Sequence, residues 1–255
     1  MSKLAFIAPI TLLSAVTLAG ADPVGISIQF DGTGGTPLPA GDSTGVVSLP
    51  YWNLESSNAG SGITGLADSS NSPVGGLTLQ YTSAYNVTVG GTPATDEGDL
   101  YSNHLESPYS AATTGPVDSN RVAAYITGIP YASYDIYVYT SDKNSGGDVY
   151  ESTTDFYTSS ASIAPNSTSM AFTDASNTST FVAGDNYVEF TGLSGSDQFL
   201  LSSDAVLSGG GGYNSGFAGI QIVNTGTPEP ASVCLLMAGA AGMLMHRRRR
   251  SNCDR

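Results

Sequence analysis

Apolar and polar residues alternate with a period of two through much of residues 22–226, which is typical of β-strands. Val24, Ile26, Ile28 and Phe30 alternate with glycine, serine and glutamine, so they predict a half-buried strand. The same alternation returns in five later segments: Leu77–Tyr81, Tyr85–Val89, Val122–Ile126, Val188–Phe190 and Ile220–Ile222. The pattern therefore predicts a succession of short strands.

Residues 134–140 carry the alternation with aromatic side chains. Ile136 and Val138 fall on one face of the predicted strand, and Tyr137 and Tyr139 fall on the other. We expect the aliphatic pair to face the core, so the tyrosines are candidates for an exposed surface on which sugar rings stack. Burial in the core is the alternative for the pair, and it is the position we expect for Trp52.

Glycine-rich segments separate the predicted strands, and no stretch of residues 22–226 sustains a 3.6-residue apolar stripe. Roughly nine to eleven short strands over this length favour a single all-β domain, a jelly-roll-like β-sandwich. We therefore expect residues 22–226 to be a sandwich ectodomain, with an N-terminal signal peptide before it and a C-terminal transmembrane helix after it.

The N-terminal residues 1–21 have the pattern of an export signal. Lys3 precedes an apolar run, which closes with the small residues Ala19, Gly20 and Ala21. A signal peptidase accepts that pattern, so we expect cleavage before Asp22. An uncleaved membrane anchor is the alternative, and both interpretations export the following domain.

Residues 231–245 near the other end contain no charged side chain. A helix of this length reaches about 22 Å, which is short of the ~30 Å hydrocarbon core but within what bilayer thinning accommodates. The four arginines after it should stay cytoplasmic by the positive-inside rule. This arrangement places residues 22–226 on the outer side of the inner membrane, in agreement with the export signal.

Residues 227–255 resemble the PEP-CTERM sorting tail of exported proteins from biofilm-forming Gram-negative bacteria, which is also described as an ice-binding-protein C-terminal region. The resemblance rests on Pro228, Glu229 and Pro230, then the apolar segment, then Arg247, Arg248, Arg249 and Arg250. It implies recognition by an exosortase, a membrane transpeptidase that cleaves near the Pro-Glu-Pro motif and passes the protein outward. Residues 251–255 depart from the pattern, and an ordinary anchor with a proline-rich neck is the alternative.

Charge and cysteine content narrow the function of the ectodomain. Residues 22–226 hold 20 acidic residues against Arg121 and Lys143, a net charge of −18. A surface this acidic repels phosphate backbones, which argues against nucleic acid as a partner. Both cysteines, Cys234 and Cys253, lie in the tail, so the ectodomain has no disulfide and no cysteine-based catalytic or zinc site.

Asp142, Asn144 and Asp148 are candidate ligands for a structural calcium ion. Their side-chain oxygens alternate along a loop that contains two glycines, as in calcium-binding loops. Lys143 interrupts the set, and a polar hairpin loop is the alternative interpretation. We predict no other cofactor.

Gly41, Ser43 and Gly45 fit the G-x-S-x-G pattern of a hydrolase elbow, with Asp99 and His104 in the order of a catalytic triad. The elbow requires a buried strand before the serine and a helix after it, and the sequence predicts neither. His104 is expected in an exposed loop. We therefore expect a protein that is not an enzyme.

Residues 25–30, 128–139 and 219–222 also resemble sandwich domains that often precede PEP-CTERM tails and look like carbohydrate-binding jelly rolls. Together the two resemblances imply a cell-surface or extracellular-matrix protein that contacts polysaccharide. Two alternatives stay open: a purely structural envelope protein without a specific ligand, and a secreted glycan-active hydrolase.

Overall fold

A computed structural model describes residues 24–31, 36–39, 41–83, 85–88, 94–106, 122–140, 153–154, 156–157, 170–171, 179–201 and 216–226. These residues form β-sheets for the most part, with one short helix among them. The prediction of a chain dominated by β-structure is therefore confirmed at this level.

The strands in chain order are β1 (Gly25–Phe30), β2 (Asn53–Glu55), β3 (Ala59–Ile63), β4 (Thr78–Thr82), β5 (Tyr85–Thr88), β6 (Asn103–Glu106), β7 (Ala123–Thr127), β8 (Tyr134–Tyr139), β9 (Thr153–Thr154), β10 (Phe156–Tyr157), β11 (Met170–Ala171), β12 (Tyr187–Leu193), β13 (Gln198–Leu201), β14 (Gly216–Phe217) and β15 (Gly219–Asn224). The helix α1 is Asp96–Leu100. Each segment with a predicted period of two forms a strand, so those predictions are confirmed.

Two five-stranded sheets make up most of the fold. The first sheet has the order β12-β8-β15-β1-β2, and its neighbours are antiparallel except for β1 and β2, which are parallel. The second sheet has the order β10-β13-β7-β4-β3 and is antiparallel throughout. Smaller sheets join β14, β6 and β5, and β11 with β9.

The main core lies between the two large sheets. Ile28 and Ile136 from the first sheet share one buried cluster with Leu79, Ile126 and Leu200 from the second. Alternate side chains of a strand point to the same face, so this cluster identifies the inward face of each sheet. Burial of each such aliphatic side chain contributes about 2 kcal/mol, which makes this contact the main stabilising layer of the domain.

The central strands β8, β15 and β1 of the first sheet are buried on both faces, which corrects the expectation of a half-buried first strand. All six residues of β1 are buried, including Ser27 at 0% and Gln29 at 1% exposure. The outward side chains of this sheet meet a second apolar cluster, which we call the outer layer: Leu49, Leu100, Tyr101, Tyr137, Tyr139, Ala218 and Val223. Polar residues at alternate positions suggested a solvent-facing side, but here they face loops that cover the sheet.

Helix α1 supplies part of the outer layer. Thr95 caps it by accepting a hydrogen bond from the Gly98 backbone N–H at 3.1 Å, and acidic residues in its first turn favour the positive end of the helix dipole. Leu100 at its end is completely buried. The helix was not predicted because five residues are too few to show a 3.6-residue period.

His104 lies in β6 with 3% of its surface exposed, not in an exposed loop as the sequence suggested. Burial lowers its pKa from 6.5 to about 4, since the charged imidazolium would lose its hydration. The folded protein therefore holds His104 neutral at pH values where the unfolded chain protonates it.

We predict that His104 makes the protein less stable as the pH falls from about 6.5 to about 4, because the unfolded state then binds a proton that the folded state does not. The full shift corresponds to about 3 kcal/mol of unfolding free energy. Urea unfolding at pH 7.0 and 4.5 should show a smaller loss of stability in His104→Gln than in the wild type. Carboxyl groups contribute equally to the pH dependence of stability in both proteins. Identical losses of unfolding free energy in the wild type and His104→Gln would therefore contradict a buried neutral histidine.

Candidate functional site

The two tyrosines that were predicted to form an exposed surface are buried. Tyr137 is 7% exposed and Tyr139 is 0% exposed, and both belong to the outer layer. Their side of β8 is indeed opposite to the main core, but other segments of the chain cover it. The prediction of an exposed, sugar-stacking pair at these positions is therefore wrong.

Tyr139 lies at the centre of an aromatic cluster instead. Its ring centroid is 5.4 Å from that of Phe181 and 5.8 Å from that of Trp52, both in edge-to-face contact, and Tyr101 and Tyr187 lie slightly further away. Aromatic pairs in this geometry stabilise by more than their buried area alone. Trp52 is half-buried and packs against this cluster, which agrees in part with its expected core position.

Hydrogen bonds from Tyr139 and Gln221 attach the loop at residues 44–47 to the first sheet. The Tyr139 hydroxyl accepts a hydrogen bond from the Val46 backbone N–H at 2.8 Å and donates one to Gln221 Oε1. Gln221 Nε2 in turn donates to the Val47 carbonyl at 3.0 Å. Gly45 has φ +102°, and a Cβ atom there would collide with the Gln221 side chain, so the close approach requires glycine.

Gln29 attaches a second segment of the outer layer. Its Oε1 accepts a hydrogen bond from the Leu38 backbone N–H at 2.9 Å, and its Nε2 donates to the Asp99 carbonyl of α1 at 3.0 Å and to the Thr36 carbonyl at 3.3 Å. One buried amide thus joins residues 36–38, the end of α1 and the first sheet.

Burial keeps the Tyr139 hydroxyl protonated. It raises the pKa of this group far above its ordinary value, since a phenolate would have no water around it. The raised pKa keeps the hydroxyl protonated at neutral pH, where it donates a hydrogen bond to Gln221. The arrangement suits a structural role and not acid–base chemistry.

Acidic side chains gather around α1. Burial raises the pKa of Asp99, and the nearby charges of Asp96 and Asp42 raise it further. The pKa of Asp31 is raised as well, mainly by burial. A hydrogen bond from Asn103 lowers this pKa, and repulsion by the Asp99 charge raises it. No lysine or arginine occurs in the described part of the chain to offset these charges.

These carboxylates do not form a metal centre. Within the described residues there is no group of three or more histidine, cysteine, aspartate or glutamate side chains placed to hold a metal ion. The group therefore supplies a negative field at this end of the first sheet and not a coordination site.

The G-x-S-x-G segment does not have the structure of a hydrolase elbow. Residues 41–49 form turns, with a bridge between Thr44 and Leu49 that includes a 3.2 Å hydrogen bond. A turn follows Ser43 where the elbow would place a helix. Asp99 lies in α1, and His104 is buried in β6.

Several predicted positions lie outside the described residues. They are the signal at 1–21, the calcium candidates Asp142, Asn144 and Asp148, the apolar segment 231–245, and the sorting motif with Pro228, Glu229, Pro230, Arg247, Arg248, Arg249 and Arg250. Where the chain is described, no helix has the length and apolar character to cross a membrane. The predictions for these positions stay predictions.

An aromatic pair of which one ring is exposed and the other half-buried lies on the second sheet, where the sequence interpretation placed no site. Ala124, Ile126 and Leu200 face the main core, so Tyr125 of β7 and Phe199 of β13 occupy the outward face. Tyr125 is 37% exposed, and the two ring centroids are 6.4 Å apart with the rings tilted by 54°. The signal was present in the sequence, because the alternation over residues 122–126 leaves Tyr125 opposite the aliphatic face.

Comparison with protein-family models, with curated proteins and with solved structures finds no match for this chain. No relative therefore suggests an activity, a ligand or a partner for it. The chain's own sequence pattern and geometry have to support a functional proposal.

We predict that Tyr139→Phe lowers the free energy of unfolding by about 2 kcal/mol, because it leaves the Val46 N–H and the Gln221 Oε1 without a partner in a buried place. Tyr137→Phe is the matched control. Its hydroxyl donates to exposed Glu189 at 2.8 Å, so water can replace it and the loss should be about 1 kcal/mol or less. Urea unfolding at pH 7 measures both, and equal losses would show that the Tyr139 contacts do not stabilise the outer layer.

Proposed function

We propose that this chain is a non-catalytic, exported surface or extracellular-matrix protein that an exosortase sorts through residues 227–255. The observation that carries the proposal is the order of Pro228, Glu229 and Pro230, the uncharged residues 231–245, and the arginines from 247 to 250. A Pro-Glu-Pro segment favours extended backbone, which a membrane peptidase can bind. The apolar segment and the arginines would hold the chain in the inner membrane until it is cut.

The proposed role of residues 22–226 is that of a jelly-roll-like β-sandwich at the cell surface, in contact with polysaccharide. Two five-stranded sheets that share one core, and a second apolar layer outside the first sheet, support a stable domain. No cysteine occurs in this region, so the domain relies on packing and buried hydrogen bonds in place of disulfides.

A purely structural envelope protein without a specific ligand is the second candidate. It is favoured by the net charge of the chain, −14, and by the absence of lysine and arginine from its described part. Such a surface keeps copies of the protein soluble and draws counter-ions between neighbours without any dedicated binding site.

Cleavage of the tail tests the proposed sorting. The full chain, with one epitope after Asp22 and another after Arg255, is expressed in a Gram-negative host that carries an exosortase and in the same host without it. We predict that the epitopes separate only in the first host, where the N-terminal part leaves the inner membrane. Glu229→Ala should block the separation because it removes the one charge of the motif.

Glu189→Ala is the control for this experiment, since Glu189 is an exposed glutamate in the sandwich and far from the motif in sequence. It should be processed like the wild type. Immunoblots of membrane and outer fractions read both epitopes. Processing of Glu229→Ala at the wild-type rate, or equal processing in both hosts, would contradict exosortase sorting.

A further inference from the structure

Tyr125 differs from the other described aromatic residues because its side chain is exposed. The exposed large hydrophobic side chains of the described residues are Val24, Leu54, Tyr125 and Val182, of which only Tyr125 is aromatic. Several of the other described tyrosines are buried and donate their hydroxyls within the protein, as Tyr101 does to the Asn186 carbonyl at 3.1 Å and Tyr134 to the Gly195 carbonyl at 2.9 Å. The Tyr125 ring contacts Phe199, but within the described residues its hydroxyl has no such partner, and 37% of the residue's surface stays exposed.

The strand register places Tyr125 in a row of large side chains across the second sheet. Gln80 of β4 is opposite Tyr125, and Tyr125 is opposite Phe199 of β13. The row therefore crosses three adjacent strands. Gln80 is exposed and lies next to the tyrosine, so an amide donor and acceptor adjoin the aromatic rings.

The neighbouring outward positions on the central strands are small and uncharged. Thr78 of β4 and Thr127 of β7 are paired, and their hydroxyls are 2.5 Å apart. The Tyr125 ring therefore projects from the sheet next to shorter side chains that carry hydroxyl groups. A ring face, an amide and hydroxyls are the groups that recognise a sugar, since the C–H face of a pyranose packs on an aromatic ring while its hydroxyls bond to amides.

The charge of the protein indicates which polysaccharide fits. Gln80, Tyr125 and Phe199 carry no charge, while the chain as a whole has a net charge of −14. The negative charge of the protein would repel an anionic polysaccharide as it approaches. The described residues also include no lysine or arginine that could pair with its carboxylates. A neutral chain has no such barrier.

We propose that the outward face of the second sheet at Gln80, Tyr125 and Phe199 binds a neutral polysaccharide whose sugar rings stack on Tyr125. This site rests on the proposed function in one respect, that polysaccharide is the partner of the exported domain. Beyond the proposed function, the site specifies which face of the domain contacts the polysaccharide and which chemical class of polysaccharide binds. The buried pair Tyr137 and Tyr139 has no part in it.

Binding of the full-length protein in detergent to soluble polysaccharides tests the site. The probes are laminarin, hydroxyethyl cellulose and mannan as neutral chains, and alginate as an anionic chain. Biolayer interferometry should show saturable binding to at least one neutral probe and none to alginate. Tyr125→Ala should weaken that binding about tenfold, the factor that corresponds to one lost ring contact, while Tyr125→Phe keeps the ring and should stay within about threefold.

Leu54→Ala is the matched control, because Leu54 is an exposed apolar residue of the first sheet. It should bind like the wild type, and thermal melting of each variant confirms that it is folded. Gln80→Ala provides a second variant at the site and should weaken binding about threefold by removing hydrogen bonds to sugar hydroxyls.

Three results would overturn the site: no binding to any neutral probe, equal binding by wild type and Tyr125→Ala, or stronger binding to alginate. Sedimentation velocity adds a fourth, since a wild-type dimer that Tyr125→Ala converts to a monomer would assign this face to self-association. The epitope assay of sorting is independent of these outcomes. Tail cleavage without polysaccharide binding would refute this site alone, and binding without cleavage would refute exosortase sorting alone.

Discussion

Tyr139 and Gln221 hold a loop against the outward face of the first sheet through hydrogen bonds that water does not reach. Gln221 is fully buried and Gln29 nearly so, and each makes several hydrogen bonds to backbone groups of the loops above it. A buried amide without partners costs about 1–3 kcal/mol. Separation of the loops from the sheet would therefore lose these hydrogen bonds in addition to the apolar contacts. The positions of residues 36–39, of residues 41–50 and of α1 follow from this constraint.

The same constraint determines which surfaces are left for function. Because the central strands of the first sheet are covered on both faces, Tyr137 and Tyr139 pack within the outer layer and stabilise the domain. The second sheet uses its inward face for the core and leaves the Tyr125 ring accessible on the other. The last strand of the first sheet, β15, ends at Asn224, immediately before the proposed sorting tail. Delivery and contact with polysaccharide would therefore depend on separate parts of the chain.

The period of two in the sequence was sufficient to locate strands such as β4, β7 and β15, because apolar alternation is a local property of the chain. It could not tell that Ser27 and Gln29 are buried, since the segments that cover them come from residues 36–39, 41–50 and 96–101. The same long-range cover explains why Tyr137 and Tyr139 are buried although they lie opposite the aliphatic face. His104 was misplaced for a related reason: a polar segment beside a proline suggested a loop, but β6 pairs with both β5 and β14.

Amide hydrogen exchange of the Val46 and Leu38 N–H groups tests most directly whether buried side chains fix the outer layer. Both are loop amides whose hydrogen-bond acceptors are side chains, the Tyr139 hydroxyl at 2.8 Å and the Gln29 amide oxygen at 2.9 Å. Both amides should exchange as slowly as amides of the central strands β1 and β15, since they become accessible to water only when the outer layer separates from the sheet. Exchange at the rate of an unprotected loop would contradict this expectation.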